Sequence, residues 1–332
     1  MNKKFAVIGD GGMGTVCAIM LAENGNPVKL WSAFEDQANQ MRADRENLKY
    51  LPGRHLPDNI EIVTGFDNIF DDVDYIISAV PTQFLRAVWS KLKSSCPANM
   101  PICSVTKGVE NDTLLRPTEI LLEVLETPDR PILVLSGPSI APEIADRLPA
   151  TVTIASSDQT LAEQYQKAIS TNYFRAYTNS DIVGVELAGA TKNVIAIAAG
   201  AIDGLKLGDN AKAALLSRGL AEIVRLGIAA GAKPETFYGL SGVGDLVTTC
   251  ISAVGRNRSF GELIGKGMTV EQALAASAGV VEGVATTKSV VALAEKLNVE
   301  MPLVNAISKV LFDNVSCKVC LAELMQRPLK AE

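Results

Sequence analysis

The chain has 332 residues, of which 48% are hydrophobic and 20% charged, with a formal net charge of −6. At about 100–200 residues per domain this length predicts two domains, and the apolar content excludes an intrinsically disordered chain. The acidic balance offers no general attraction to nucleic acid or anionic lipid, so we expect neither as a partner. The single histidine, His55, excludes metal sites built from histidine pairs.

The cysteines and the apolar runs indicate the cellular compartment of the protein. Only Cys317 and Cys320 have C-x-x-C spacing, and no second pair completes a zinc site. We expect structural thiols in a reducing compartment and no metal. The alternative is that this pair is redox-active or binds a metal. No apolar run approaches the roughly 18 residues that span a bilayer. The segment 5–9 is too short for a signal peptide, so the sequence predicts a cytoplasmic protein without a membrane span.

Strands and helices alternate along the first half. An apolar run at 5–8 is followed by glycines, a helical pattern at 15–24 and a strand at 28–31, and an amphipathic helix is predicted at 84–93. Further strands are predicted at 75–80, 102–105, 132–135 and 151–155, while the proline-punctuated stretch 51–57 is interpreted as a loop. The alternation predicts a Rossmann-like, doubly wound parallel sheet over residues 1–180.

Beyond residue 180, long segments rich in Ala, Gly and Leu replace the strand pattern. They predict helices at 182–202, 211–230, 269–276, 286–297 and 302–312. The fold class is therefore an α/β Rossmann-like domain followed by an all-α domain over residues 181–332.

Gly9, Gly11 and Gly14 match the pattern G-x-G-x-x-G directly after a strand and at the start of a helix. In that context the pattern predicts a dinucleotide site, with the pyrophosphate at the helix N-terminus. A bare strand-to-helix turn is the alternative. After the second strand stand Ser32 and Ala33, which we expect to border the adenosine ribose. No acidic residue or arginine stands there to select a cofactor, so NAD and NADP both remain open.

The carboxyl ends of parallel strands meet at one edge, where ligands bind. Lys107 follows the strand at 102–105, and Gly137 and Ser139 follow the strand at 132–135. A charge directly after an apolar strand indicates a cleft, although a solvated loop lysine is the alternative.

Lys192 lies in an apolar, small-residue helix segment, 186–194, where an unpaired charge is costly. Because desolvation lowers the pKa of a lysine, such a residue can serve as a general acid or base. The alternative is a lysine whose stem is buried and whose amine reaches solvent.

Three further motifs carry polar groups next to glycine. Asp245 follows a glycine turn, where it can cap a helix, bind a ligand or do both. Gly255, Arg256, Asn257 and Arg258 form a cluster suited to a phosphate, or a solvated basic loop. The segment 280–283 either approaches the nicotinamide or caps a helix.

Together these stretches resemble the bacterial NAD(P)-dependent glycerol-3-phosphate dehydrogenase family. The resemblance implies interconversion of sn-glycerol 3-phosphate and dihydroxyacetone phosphate by a dimeric cytosolic enzyme that supplies phospholipid synthesis. The matching segments are 9–14, 50–53, 106–110, 136–139, 186–194, 242–246, 256–258 and 280–283.

By this resemblance Lys192 donates or accepts the proton. The implied substrate-binding residues are Lys107, Gly137, Ser139, Lys192, Asp245, Gly255, Arg256 and Asn257. The implied cofactor-binding residues are Gly9, Gly11, Gly12, Met13, Gly14, Ser32, Ala33, Lys107, Ala141, Arg256, Val281 and Glu282. Family members commonly have Ser-Trp in place of Gly12-Met13, and Arg or His near Ala33.

Two other functions remain open on the sequence. One is a related dehydrogenase of the same two-domain type that acts on a hydroxy acid or a sugar phosphate. The other is a regulator that binds NAD(P)H without catalysis.

Overall fold

A computed structural model describes residues 3–277, 279–329 and 331. The chain forms two compact units. Unit 1 comprises residues 1–107 and 116–185, and unit 2 comprises residues 108–115 and 186–332.

Unit 1 is built on a mainly parallel sheet of eight strands with helices between them, and a separate sheet of two strands. The strands of the unit are β1 (Phe5–Ile8), β2 (Val28–Trp31), β3 (Glu46–Asn47), β4 (Leu51–His55), β5 (Ile60–Val63), β6 (Tyr75–Ser78), β7 (Ile102–Ser104), β8 (Ile132–Ser136), β9 (Ala150–Ala155) and β10 (Phe174–Asn179). The order of strands in the main sheet is β10-β9-β8-β7-β6-β1-β2-β5. Its helices are α1 (Gly12–Glu23), α2 (Glu35–Asp44), α3 (Thr82–Leu92), α4 (Pro117–Leu125), α5 (Ala141–Ala145) and α6 (Gln159–Ile169).

The strand order reverses at β1, which pairs in parallel with β2 on one side and with β6 on the other. Such a switch point leaves a crevice at the carboxyl ends of the strands. The glycine loop follows β1 and therefore opens into that crevice. The buried aromatic rings of Phe5, Tyr75 and Tyr165 pack together and tie β1 and β6 to α6.

The expectation of a wholly parallel sheet is wrong at β9, which runs antiparallel to β8 and parallel to β10. The link between β8 and β9 contains only the five-residue helix α5. The 13 residues from 137 to 149 that join the two strands are enough for a parallel crossover, so the direction of β9 is decided by its packing and not by the length of the link.

The interpretation of 51–57 as a loop is also wrong, because Leu51–His55 forms β4 and pairs with β3 in a separate two-stranded sheet. Pro52 is compatible with β4 because a two-stranded sheet leaves one edge of each strand without a partner strand. Two strands of the main sheet, β5 and β10, were not predicted. Both lie at the ends of the strand order.

Unit 2 is helical in its described residues, as predicted. Its helices are α7 (Ile182–Leu205), which starts in unit 1, α8 (Asp209–Ala229), α9 (Asp245–Ile251), α10 (Arg256–Gly265), α11 (Val270–Ala275), α12 (Glu282–Lys296), α13 (Pro302–Phe312) and α14 (Cys317–Met325). A short 3₁₀ segment, Pro234–Tyr238, and a π-helical turn, Leu240–Gly244, precede α9.

Helix α7 is the one helix among the described residues that is long and apolar enough to cross a membrane. The expectation that no segment has this length and composition is therefore wrong. The helix is mostly buried inside the protein, which is the position of a core helix rather than a membrane span.

Glycines bring α7 and α10 into backbone contact. A Cβ atom on Gly200 would lie 1.9 Å from the carbonyl oxygen of Arg258, and one on Gly261 would lie 2.0 Å from that of Ile197. Neither position accepts a side chain without separating the helices. The first turn of α10, which carries the predicted phosphate ligands, is thereby held against the helix that carries Lys192.

Glu222 of α8 stabilises α13 from its buried position. Its carboxylate accepts the backbone N–H groups of Leu303 (2.8 Å) and Val304 (3.2 Å) in the first turn of that helix. Burial raises the pKa of Glu222 to about 7, although these N–H groups and the charges of Arg225 and Arg327 oppose the shift. The folded protein therefore retains a proton that the unfolded chain releases near the ordinary glutamate value.

We expect this proton to make folding pH-dependent. Between pH 4.5 and pH 7 the folded state binds more protons than the unfolded state at Glu222, so stability falls as the pH rises. The free energy of unfolding, measured with urea at pH 5 and at pH 8, should fall by about 1–3 kcal/mol less in Glu222→Gln than in the wild type. An unchanged pH dependence in the variant would contradict the assignment.

Candidate active site

The glycine loop has the geometry that a dinucleotide pyrophosphate requires. Gly9 has φ +111°, and a Cβ atom there would lie 2.8 Å from the Ala79 carbonyl oxygen. A Cβ atom on Gly14 would lie 2.0 Å from the carbonyl oxygen of Gly9. At Gly11, the N-cap of α1, no heavy atom lies within 4 Å of that position among the described residues. The helix N-terminus is thus open to an anion, and the loop fits the cofactor.

A buried network of polar side chains packs against the glycine loop. The hydroxyl of Ser32 donates to the carboxyl group of Asp10 (2.7 Å), and burial raises the pKa of Asp10. The side-chain amide of Asn47 donates to the Asp10 carbonyl (2.7 Å) and to Thr15 Oγ1 (2.8 Å). Asn47 was not predicted, because no local pattern links it to a loop 37 residues earlier. The network sets Ser32 beside the loop, and the predicted neighbour Ala33 is exposed.

Tyr50 is a further neighbour of the loop that the sequence analysis did not assign to the cofactor site. Its carbonyl oxygen lies 3.4 Å from the position of a Cβ atom on Gly12, as does the methyl group of Ala141. The predicted cofactor residues Gly12 and Ala141 are therefore adjacent. Met13, in the first turn of α1, is half-buried and packs against the hydrophobic core.

Lys107, Gly137 and Ser139 lie together at the ends of β7 and β8. The Lys107 ammonium donates to the Gly137 carbonyl (3.3 Å), which also accepts the Ser139 hydroxyl (2.9 Å). Gly137 has φ +144°, and a Cβ atom there would lie 2.9 Å from the Cα atom of Val152. Thr82 donates to the Lys107 carbonyl (3.0 Å) and helps to hold this half-buried lysine in place. The three predicted substrate residues of unit 1 thus form one cluster.

In unit 2, the side chain of Lys192 meets polar partners in the core. Its side chain is buried (6% exposed) and contacts the carboxylate of Asp245 (2% exposed) and Thr249 Oγ1 (2.7 Å). The alternative of an amine that reaches solvent does not fit this burial. The alternative that Asp245 caps α9 does not hold either, because the N-cap is Gly244 and Asp245 is the first helical residue. The ion pair favours the ammonium form of the lysine.

Thr249 was missed by the sequence analysis. It lies one helical turn after Asp245, so both side chains project from the same face of α9 toward Lys192. The neighbouring Cys250 is chemically quiet, since burial raises the pKa of its thiol to about 12. The Cys250 thiol therefore stays protonated near neutral pH.

The N-termini of α10 and α12 meet at Asn257. Its side-chain oxygen accepts the backbone N–H of Gly283 (2.9 Å), next to Glu282 in the first turn of α12. Gly255 and Val281 are the N-caps of α10 and α12. The predicted residues 255–257 and 281–282 therefore lie at two adjoining helix ends, where backbone N–H groups favour an anion.

Arg256 and Arg258 differ in what they contact. Arg258 is paired with Asp203 (2.7 Å), whereas Arg256 is exposed and forms no ion pair within the described part of the chain. Its guanidinium lies 3.6 Å from the position of a Cβ atom on Gly279. Arg256 thus keeps its charge available for a phosphate.

Comparison with known proteins identifies the family. The family models of the N-terminus and the C-terminus of NAD-dependent glycerol-3-phosphate dehydrogenase match residues 4–162 and 181–322. The chain belongs to the NAD-dependent glycerol-3-phosphate dehydrogenase family. The predicted family, fold class and enzyme class, an NAD(P)-dependent oxidoreductase, are confirmed.

Individual relatives agree over the full length of the chain. Glycerol-3-phosphate dehydrogenase [NAD(P)+] from Citrifermentans bemidjiense is 45% identical over 100% of this chain and 99% of the relative. That from Chlorobium phaeobacteroides is 44% identical over 99% of both chains. The crystal structure of glycerol-3-phosphate dehydrogenase from Coxiella burnetii is 37% identical, with a TM-score of 0.94 over 98% of this chain and 99% of that one.

Proposed function

We propose that this family member interconverts sn-glycerol 3-phosphate and dihydroxyacetone phosphate, and that it supplies glycerol 3-phosphate for phospholipid synthesis. The observation that carries the mechanism is the buried pair of Lys192 and Asp245. When bound, NAD(P)H supplies the hydride that reduces carbon 2 of the ketone. The remaining requirement is a proton for the oxygen on that carbon.

Lys192 provides that proton. In the reducing direction its ammonium group stabilises the negative charge that develops on the carbonyl oxygen and then transfers a proton to it. In the oxidising direction the neutral amine accepts the proton of the alcohol. Asp245 supports the ammonium form, and Thr249 fixes the direction of the amine by its hydrogen bond.

The other predicted residues bind and orient the reactants. The glycine loop 9–14, Ser32, Ala33 and Ala141 hold the dinucleotide, with Val281 and Glu282 as further contacts to it. Lys107 contacts both cofactor and substrate, and Gly137 and Ser139 contact the substrate. Gly255, Arg256 and Asn257 receive the phosphate of the substrate, and Arg256 also approaches the cofactor. Holding the phosphate at one end orients the carbonyl at the other.

Arg256→Ala is expected to raise the KM for dihydroxyacetone phosphate about tenfold or more, with a smaller change in kcat, because one charged contact to the phosphate is lost. Steady-state kinetics with dihydroxyacetone phosphate and with unphosphorylated dihydroxyacetone measure the effect. Ser259→Ala, on the same helix, is the control. An equal loss with the unphosphorylated ketone would refute the assignment.

The overall function is tested by following oxidation of NADH and of NADPH, side by side, with dihydroxyacetone phosphate. A panel of hydroxy acids, other ketones and sugar phosphates separates this activity from that of a related dehydrogenase. Binding of NAD(P)H without substrate-dependent oxidation would instead identify a non-catalytic regulator.

We also propose a cytoplasmic homodimer, with a dinucleotide-binding domain over residues 1–180 and a substrate-binding domain over residues 181–332. All six cysteines are free, which suits a reducing compartment. Light scattering coupled to size-exclusion chromatography tests the dimer, because a monomer at micromolar concentration would contradict it.

A further inference from the structure

The end of β2 lacks the usual means of selecting NAD. In Rossmann folds an acidic side chain at this point binds the ribose hydroxyls of NAD. Here the Ser32 hydroxyl donates to Asp10, inside the buried network. The next acid along the chain, Glu35, accepts hydrogen bonds from Arg42 (2.9 Å) and from Thr64. Neither side chain is placed as a dedicated acceptor for ribose hydroxyls.

A cation, Lys49, lies near the end of β2 but comes from a later segment of the chain. The ammonium of Lys49 lies 5.7 Å from the ring centre of Phe34, three residues beyond the end of β2, and 5.0 Å from that of Tyr50. Its charge also acts on the glycine-loop residue Asp10, whose pKa it lowers against the larger effect of burial. Lys49 is thus held by two aromatic rings between the end of β2 and the glycine loop.

We propose that Lys49 binds the 2′-phosphate of NADP and gives this enzyme its preference for NADP over NAD. This inference rests on the proposed function. Phe34 is 63% exposed and offers an apolar face for the adenine next to the cation. A 2′-phosphate carries about two negative charges that the 2′-hydroxyl of NAD lacks, so a cation here discriminates between the cofactors. Lys49 takes the role that an arginine directly after the strand usually has.

The test measures binding of two cofactor fragments that cannot transfer hydride, 2′-phospho-ADP-ribose and ADP-ribose. Calorimetric titration of the full chain should show tighter binding of the phosphorylated fragment. Lys49→Gln should weaken that fragment about tenfold and change ADP-ribose by less than about twofold. Lys49→Arg should retain the preference, since it keeps both the charge and the contact with the rings.

Lys167→Gln is the matched control. It makes the same charge change on the exposed face of α6, which packs against β9 and β10 at the other end of the sheet. It should leave both affinities unchanged, and higher ionic strength should reduce the preference of the wild type more than that of Lys49→Gln.

Two results would overturn the inference: a wild type that binds both fragments equally, or a Lys49→Gln variant with an unchanged ratio of affinities. Failure of the proposed function would look different. Dihydroxyacetone phosphate would then leave NADH and NADPH unoxidised, while the fragment preference and its dependence on Lys49 could still be measured.

Discussion

Lys192→Ala is expected to reduce turnover of dihydroxyacetone phosphate by about 10²–10⁴-fold, because the developing alkoxide loses its proton donor. The affinity for NAD(P)H should stay close to that of the wild type, since in the proposed assignment the glycine loop binds the dinucleotide pyrophosphate. Stopped-flow turnover and quenching of protein fluorescence by NADPH measure the two effects separately. Turnover at the wild-type level would refute the role of Lys192.

This substitution also affects folding, and the experiment needs a control for that. Removing the lysine leaves Asp245 buried without its counter-ion, which costs about 3–5 kcal/mol in comparable pairs. The double variant Lys192→Ala with Asp245→Ala removes both charges. It should recover much of the melting temperature and none of the turnover. Recovery of activity together with stability would mean that the pair has a purely structural role.

Two glycines of the same loop are expected to respond in opposite ways to alanine. Gly14→Ala places a methyl group 2.0 Å from a backbone oxygen, so the loop or α1 must shift. We expect a loss of about 3 kcal/mol or more of folding stability, even though alanine favours a helix by about 1 kcal/mol over glycine. At Gly11 the methyl group meets open space and φ is −61°. Gly11→Ala should therefore fold normally.

The same pair separates folding from cofactor binding. The methyl group of Gly11→Ala occupies the space through which the pyrophosphate approaches the backbone, so NADPH should bind about tenfold or more weakly to this stable variant. Thermal unfolding and NADPH titration of both variants make the comparison. If Gly11→Ala binds NADPH like the wild type, the pyrophosphate does not lie on this loop.

Many features of this protein could be inferred from local sequence alone. The spacing of Gly9, Gly11 and Gly14 after an apolar run identifies a strand, a turn and a helix. Each of these elements depends on residues that are close to one another in the sequence. The all-helical second half is equally local, since long segments rich in Ala and Leu favour helices intrinsically. A lysine within such a segment already indicated a site of chemistry.

The tertiary structure decided the pairings. Asp245 and Thr249 meet Lys192 across 53 and 57 residues, and Asn47 reaches the glycine loop across 37. The antiparallel direction of β9 is a further such feature, because no residue pattern in the link before it marked the reversal. Contacts between distant segments depend on how whole helices and strands pack, whereas periodicity and turn residues report only on near neighbours. For that reason the sequence located the lysine, and the fold supplied its counter-ion.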